Sequence, residues 1–500
     1  MSSLALRCLR RPAVSTFLAV SLALSGAAGA GETVGDGSNA AEVAEKPVVE
    51  KVLDILLQQK TISQQQYESL LDQSRREQAE AAARIAEAAQ KAPATSAPEE
   101  APDDWTFAWN NGFKLDRNDG AFQLKFGGRI QLDGAAIMES NGLNDDLRAL
   151  GGDGRGNGVE FRRARIFFEG DLYERLFFKA QYDFAEGDPA FTDVYMGLRD
   201  LGPLGEVQVG QFKEPYNLSE ETSTNYITFM ERALPSVFFP GRNVGVMTHN
   251  TALEERMQWQ IAVFRGTDAF GSGYSSGGDT DWDVAARLSG VPIYEDEGKE
   301  VLHLGAAYIH RFIGGDTPAR YRQRPEAHLA DRFVDTLNFD ADDSDIFLGE
   351  VAWIHGPWTF VAEYDNALVS GDAGQPNVDF WGAYAQVSYF LTGEHTVYEL
   401  AKGKFGRVKP KANFNPGRGG WGAWEIAARY SYLDLDEKNI DGGKIWDVTA
   451  GLNWYLFPNA RIMLNYVHSD VSNRKATIAG VPSSINGTGD IVQTRLQIDF

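Results

Sequence analysis

From Trp105 to the end of the chain, hydrophobic and polar residues alternate one by one. Neighbouring side chains fall on opposite faces only in an extended strand, so this period of two predicts strands with one greasy and one wet face. Phe122, Leu124, Phe126, Ile130 and Leu132 share one face, and Gln123, Lys125, Arg129, Gln131 and Asp133 the other. Ala164, Ile166 and Phe168 oppose Arg163, Arg165, Glu169 and Asp171. Trp358, Phe360, Ala362 and Tyr364 oppose Thr359, Glu363 and Asp365. Trp424, Ile426, Ala428 and Tyr430 oppose Glu425, Arg429 and Ser431. In the last eleven residues Val492, Leu496, Ile498 and Phe500 oppose Gln493, Arg495, Gln497 and Asp499. Roughly 16 such segments of about ten residues follow one another, the strand length that crosses an outer membrane. Short links such as Asn118-Asp119-Gly120 and Phe457-Pro458-Asn459 alternate with long polar ones. Trp353, Trp358, Trp381, Tyr389, Trp424, Trp446 and Trp454 lie near predicted strand ends, where membrane-interface aromatics belong. A β-sandwich also alternates, but it rarely needs so many strands or so regular a row of arginines. The pattern predicts an all-β fold, a transmembrane antiparallel β-barrel of about 16 strands over residues 105–500.

The residues before it follow other rules. Residues 1–30 predict a signal peptide: Arg7, Arg10 and Arg11, a short apolar stretch from Ala13 to Leu24, and Ala28-Gly29-Ala30 as cleavage pattern. Residues 31–46 are small and polar and read as disordered. Residues 47–90 read as helical, with Val52, Ile55, Leu56 and Leu57 as an apolar stripe. Ser63 and Gln66 form a capping box that starts a second helix. This segment is either a short oligomeric coiled coil or a lone solvated helix. Residues 91–104 are a Pro/Ala linker.

Composition narrows the function classes. The only cysteine, Cys8, lies within the leader, so the mature chain is expected to have no disulfide, thiol nucleophile or cysteine metal site. The mean hydropathy of −0.32 would suit a soluble protein, but a barrel needs an apolar residue only at every second position. A net charge of −23 makes nucleic acid an unsuitable partner. The glycine-rich stretch Gly151–Gly158 has no strand–helix context for a nucleotide, and Asp340, Asp342, Asp343 and Asp345 lack calcium-loop spacing. His468 and Ser469 adjoin on a strand and point to opposite faces, so they form no catalytic pair. No enzyme activity, cofactor or metal is expected.

Several motifs resemble one family. Phe212-Lys213-Glu214-Pro215-Tyr216, Tyr226–Arg232 and Phe239–Gly245 are similar to the phosphate-selective porin O and P family, as are Ser388–Glu394, Gly422–Glu425 with Ala428–Ser431, and Gly451–Leu456 with Met463–His468. The resemblance covers about residues 105–500. It implies a 16-stranded homotrimeric porin, one long loop folded inward to narrow each pore, and basic side chains that select anions such as phosphate or polyphosphate. The terminal strand ending in Phe500 resembles the strand by which the barrel-assembly machinery recognises outer-membrane barrels.

The residues themselves agree in part. Alternation assigns Arg129, Arg163, Arg165, Arg199, Arg287, Arg311, Arg429 and Arg495 to the lumen, because a charge on the lipid face costs about 2–4 kcal/mol at mid-membrane. A column of guanidinium groups could pass an anion from site to site. Alternatively each pairs with a carboxylate of the same phase, such as Glu169, Asp171, Asp183, Asp193, Glu363 or Glu425, and the lattice is neutral. The best constriction loop is Lys213 to Asn243, with Lys213, Glu220, Glu221, Glu231, Arg232 and Arg242. With Glu214 its charge is slightly negative, where an oxyanion sieve should be basic. The segment Ala401 to Arg418 holds Lys402, Lys404, Arg407, Lys409, Lys411 and Arg418 and no acid. As a mouth loop it would either concentrate anions or bind lipopolysaccharide phosphates. The leading expectation is a passive outer-membrane porin favouring small anions. A general or cation-preferring porin, and an envelope tether acting through the N-terminal helices, are the rivals.

Overall fold

The computed structural model describes residues 63–73, 76, 79, 105–109, 111–151, 156–187, 189–273, 282–313, 318–478 and 480–500. The leader, residues 31–46, most of the helical segment 47–90 and the linker 91–104 lie outside them. Residues 64–73 form a helix. Its start is the capping box read from the sequence. The Ser63 N–H donates to Gln66 Oε1 at 2.9 Å, and the Gln66 N–H to Ser63 Oγ at 3.3 Å.

Residues 100–500 are a separate unit built almost wholly of strands. A hairpin of β1 (Trp105–Trp109) and β2 (Phe113–Arg117) leads into β3 (Phe122–Glu139), β4 (Gly158–Leu172), β5 (Leu176–Asp183), β6 (Ala190–Leu198) and β7 (Glu206–Lys213). Then come β8 (Arg242–Ala252), β9 (Met257–Arg265), β10 (Trp282–Glu295) and β11 (Glu300–Phe312). Two tiny strands, β12 (Arg322–Gln323) and β13 (Val334–Asp335), pair within one connection before β14 (Ala341–His355), β15 (Trp358–Gly371) and β16 (Val378–Phe390). Another small pair, β17 (Tyr398–Glu399) and β18 (Lys404–Phe405), precedes β19 (Ala423–Glu437), β20 (Ile440–Phe457), β21 (Ala460–Ile478) and β22 (Val481–Asp499). Apart from the N-terminal hairpin and the two small pairs, 16 strands run antiparallel, each beside the next. β22 returns to pair with β3, from Gly489↔Glu139 to Asp499↔Arg129. Closure pairs each of these 16 strands on both sides, which a lipid environment requires.

The two rims differ. The rim bearing Phe500 has short turns such as Tyr173–Arg175, Gly356–Pro357 and Pro458–Asn459, and one long connection, 391–422. Most long connections leave the other rim, among them 140–157, 214–241, 266–281 and 313–340. The outer face is apolar as the alternation predicted, with Ile130, Met196, Phe360, Ile426, Leu496 and Ile498 all exposed. Trp353, Trp358, Tyr389, Trp424 and Trp454 gather at the short-turn rim, with Trp424 and Trp454 stacked at 4.8 Å. Trp381 and Trp446 stand toward the other rim. These two belts match the headgroup levels where amphipathic rings settle.

Closure depends on a close approach at Gly127-Gly128. The Gly128 N–H donates to the Phe500 carbonyl at 2.6 Å, and the Phe500 N–H returns to the Gly128 carbonyl at 2.9 Å. A Cβ at Gly128 would lie 2.6 Å from the Arg165 carbonyl oxygen and 2.8 Å from the Phe500 ring. Gly128→Val is therefore expected to destabilise the barrel by about 1–3 kcal/mol through overpacking at the seam. A lowered urea midpoint in a heat-modifiability gel assay checks this; an unchanged midpoint would show that the seam tolerates the branch.

Candidate functional site

The barrel is not an open tube. Three connections turn into it, 214–241 and 313–340 from the long-loop rim and 391–422 from the opposite rim. Their apolar residues, including Phe229, Met230, Leu234, Phe333, Tyr398 and Phe405, are buried inside. Backbone inside a barrel still needs partners for its N–H and C=O groups, and the wall provides them. The short helix Leu218–Glu221 shows how. Asn217 caps it by accepting the Glu220 N–H at 2.7 Å. The Leu218 N–H donates to Glu350 at 2.6 Å and the Ser219 N–H to Glu363 at 3.2 Å. Carboxylates on β14 and β15 thus satisfy the free N–H groups of the first turn and oppose its partial positive charge.

The loop 214–241 is anchored mainly by arginine. Arg495, fully buried, donates to both oxygens of Asp133 at 2.7 Å, to Glu231 at 2.8 Å and to the Met230 carbonyl at 2.5 Å. Arg162 reaches the same Glu231 at 3.0 Å. Burial would push the Glu231 carboxyl up, but Arg162 and Arg495 outweigh it and hold it well below the ordinary carboxylate range. The second inward loop is pinned by Glu326, which accepts from Arg429 at 3.0 Å and Thr449 at 2.6 Å. The loops from opposite rims meet where the Phe405 N–H donates to Thr222 Oγ1 at 3.3 Å and Arg407 to the Tyr226 hydroxyl at 3.1 Å.

One open cavity, of about 590 Å³, is bounded by Glu221–Thr224, by Ala401–Lys404 and by the inner faces of β3–β10. Arg129, Arg165, Lys179, Arg199, Lys213 and Arg242 line it, with Arg287, Lys402 and Lys404. Only Asp193, Glu206 and Glu221 oppose these nine cations within the lining. Several pairing carboxylates are set back from the lining: Asp183 holds Arg165 at 2.6 Å, Glu220 holds Lys213 at 3.2 Å, and Glu350 holds Arg287. Among the described residues Arg129 and Lys404 form no ion pair, and Arg129 donates only to Thr224 at 2.7 Å and Ser223 at 3.4 Å.

The eight arginines assigned by alternation all sit on the inner side, but they do not form one free column. Arg165, Arg199, Arg287, Arg311, Arg429 and Arg495 are each paired with a carboxylate. Arg163 is buried and donates to Gln131 at 2.9 Å. Only Arg129, Arg165, Arg199 and Arg287 line the cavity.

The constriction loop also differs from its net charge. Glu220 lies between Arg232 at 2.9 Å and Lys213 at 3.2 Å, and Glu231 is held as described. Burial raises Glu220, but Arg232 and Lys213 hold it below its ordinary value. These acids anchor the loop and leave the solvent path to Glu221, Lys213 and Arg242.

The basic segment expected at the mouth is on the short-turn rim with Phe500 and turns inward. Lys402 and Lys404 reach the cavity, Arg407 grips Asp499, and Lys409 and Arg418 are exposed. Lys411 donates to the Gly393 carbonyl at 2.6 Å. Most long connections leave the opposite rim, so this segment is not among the long loops with which a mouth position was expected. A local charge count could not see this, because it does not tell which way a loop turns.

Arg162 was missed by alternation because a bulge between Gln131 and Leu132 in the β3–β4 ladder lets both Arg162 and Arg163 face inward. The adjacent arginines in Phe161-Arg162-Arg163-Ala164 were the available signal. The loop 313–340 left no signal that pointed inward.

Arg495→Met is expected to cost about 3–5 kcal/mol by leaving Asp133 and Glu231 short of a buried partner. The freed loop should give noisier single-channel current. A quiet trace with unchanged stability would show that the remaining contacts, Arg162 and Arg429 among them, hold the loop without Arg495.

Comparison with known proteins follows the same lines. The family model for phosphate-selective porin O and P matches residues 131–500. An uncharacterized protein of Caulobacter vibrioides is 30% identical over 425 residues, covering 82% of this chain and 80% of that one. Porin O of Pseudomonas aeruginosa is 25% identical over 429 residues, covering 78% of this chain and 91% of that one. The solved anion-selective porin from Comamonas acidovorans overlays with a TM-score of 0.46 at 14% identity, over 76% of this chain and all of that one. With a 16-stranded closed barrel and a family match over most of its length, the chain belongs to the phosphate-selective porin O and P family of outer-membrane porins.

Proposed function

We propose that this porin passes small anions by diffusion, oxyanions of the phosphate type among them. The single observation behind this reading is the cavity wall, where nine cationic side chains meet three carboxylates. Field lines from such a wall concentrate in a narrow, low-dielectric passage and raise the local anion concentration. Arg129 and Lys404, without ion pairs among the described residues, are the first candidates to touch a passing anion. Paired arginines set the field but exchange partners less readily.

The cation-preferring alternative relied on the acids from Glu220 to Glu231. With Glu220 and Glu231 held by buried cations, only Glu221 of that run is left to act as a filter. We further propose a homotrimer, as the family resemblance implies, with Phe500 and its strand offered to the barrel-assembly machinery. The N-terminal helices would then serve assembly or tethering rather than conduction. Deleting residues 47–90 is expected to leave single-pore conductance unchanged; a changed conductance would place those helices in the pathway.

In a planar bilayer under a KCl gradient the reversal potential should show chloride preference, and low phosphate should block the current. Arg129→Gln with Lys404→Gln should lower anion permeability by about tenfold, since each removes a steering charge from the cavity lining. Cation preference with no phosphate block would overturn the reading and leave the fold intact.

A further inference from the structure

Two places on the outside of the barrel carry the same three side chains in the same geometry, and neither lines the cavity. On β11 and β14, the Tyr308 hydroxyl donates to Asp345 Oδ1 at 2.6 Å, and His310 Nδ1 lies 2.8 Å from that oxygen. On β21 and β22, the Tyr466 hydroxyl donates to Asp490 Oδ1 at 2.6 Å, and His468 Nδ1 lies 2.8 Å from it. In both, the histidine stands directly opposite the aspartate in the ladder. The chain writes the pattern twice, as Tyr-x-His on a strand rising from the short-turn rim and Asp on the strand beside it.

These groups stand on the outer, apolar face of the barrel. Leu304, Phe312 and Phe347 share the face of the first, Leu464 and Val492 that of the second, and all five are exposed on the apolar belt. Depth follows from strand length. His310 is ten residues beyond Glu300 and His468 eight beyond Ala460, both counted from the short-turn rim. About ten residues of tilted strand cross the hydrocarbon, so both groups stand where it gives way to headgroups on the long-loop side.

A carboxylate and an imidazole at that edge need polar partners. Among the described residues neither Nε2 has a protein hydrogen-bond partner. Beyond the Asp bond, His310 meets the Phe312 ring at 4.3 Å and His468 the Trp446 ring at 5.5 Å. A protonated imidazole held at Nδ1 by a carboxylate presents Nε2–H as a fixed, charge-assisted donor directed away from that carboxylate. The acceptor that the outer leaflet supplies at this depth is a headgroup phosphate.

We propose that each Tyr–His–Asp set seats one phosphate of an outer-leaflet lipid, giving two headgroup sites per chain. Neither depends on which solute the pore carries. The test is native mass spectrometry of the full-length porin after exchange into detergent, with phosphorylated lipid A or its phosphate-free form added. His310→Gln and His468→Gln should each lose one retained phosphorylated lipid, and the double variant both, while a heat-modifiability gel confirms folding. Phosphate-free lipid A should be retained by none of them. The proposal is overturned if the double variant keeps both lipids, if the phosphate-free form is retained equally by the parent chain, or if inorganic phosphate occupies the sites and no lipid does.

Discussion

The interior of this barrel is organised by the need to compensate buried charge. Arg495 is fully buried, and a guanidinium in that position is stable only with carboxylates on its donors. Asp133 supplies one from the neighbouring strand and Glu231 the other from the inward loop. The same group therefore ties together the closing strand, the first strand and the loop. Arg162 and Arg429 repeat this at either side, through the Glu231 carboxylate and its backbone carbonyl. The loop cannot leave the lumen without stranding several charges at once.

This arrangement also sets which charges line the cavity. Acidic residues of the loop are drawn onto the arginines of strands β4 and β22 and onto Lys213 and Arg232. The lumen is divided accordingly. Loops fill it against β14–β22, where carboxylates such as Glu350, Glu363 and Asp365 bind loop backbone and the Tyr216 hydroxyl. The open cavity runs along β3–β10, where cations predominate. A chain with a net charge of −23 thus presents a basic wall to solvent inside. Net charge describes the whole surface, whereas permeation senses only the lining.

The outer surface follows a separate constraint, set by the solvent around it. Aromatic rings mark the two edges of the apolar belt, and Tyr308, His310, Tyr466 and His468 place hydrogen-bonding groups on that face toward the long-loop rim. Inside and outside meet on every strand at alternate residues. A substitution can therefore change lipid contact or passage, with little crossing from one to the other.

An approximate strand count, the barrel class, the outward apolar phase and the inward direction of all eight assigned arginines were legible in the sequence. Each follows from a local rule: alternate residues share a face, and a charged face cannot meet lipid. The capping box at Ser63 and Gln66 was equally local. The pairing of those arginines was not legible, because their partners lie on other strands or on loops, such as Glu326 for Arg429. The same limit hid the inward turn of 313–340, the second lumenal arginine at Arg162, and the rim on which Lys402 and Lys404 stand. Alternation along one strand decided what each residue faces; only the folded loops decided which charges remained free to meet a solute, since burial and pairing act between segments far apart in the chain.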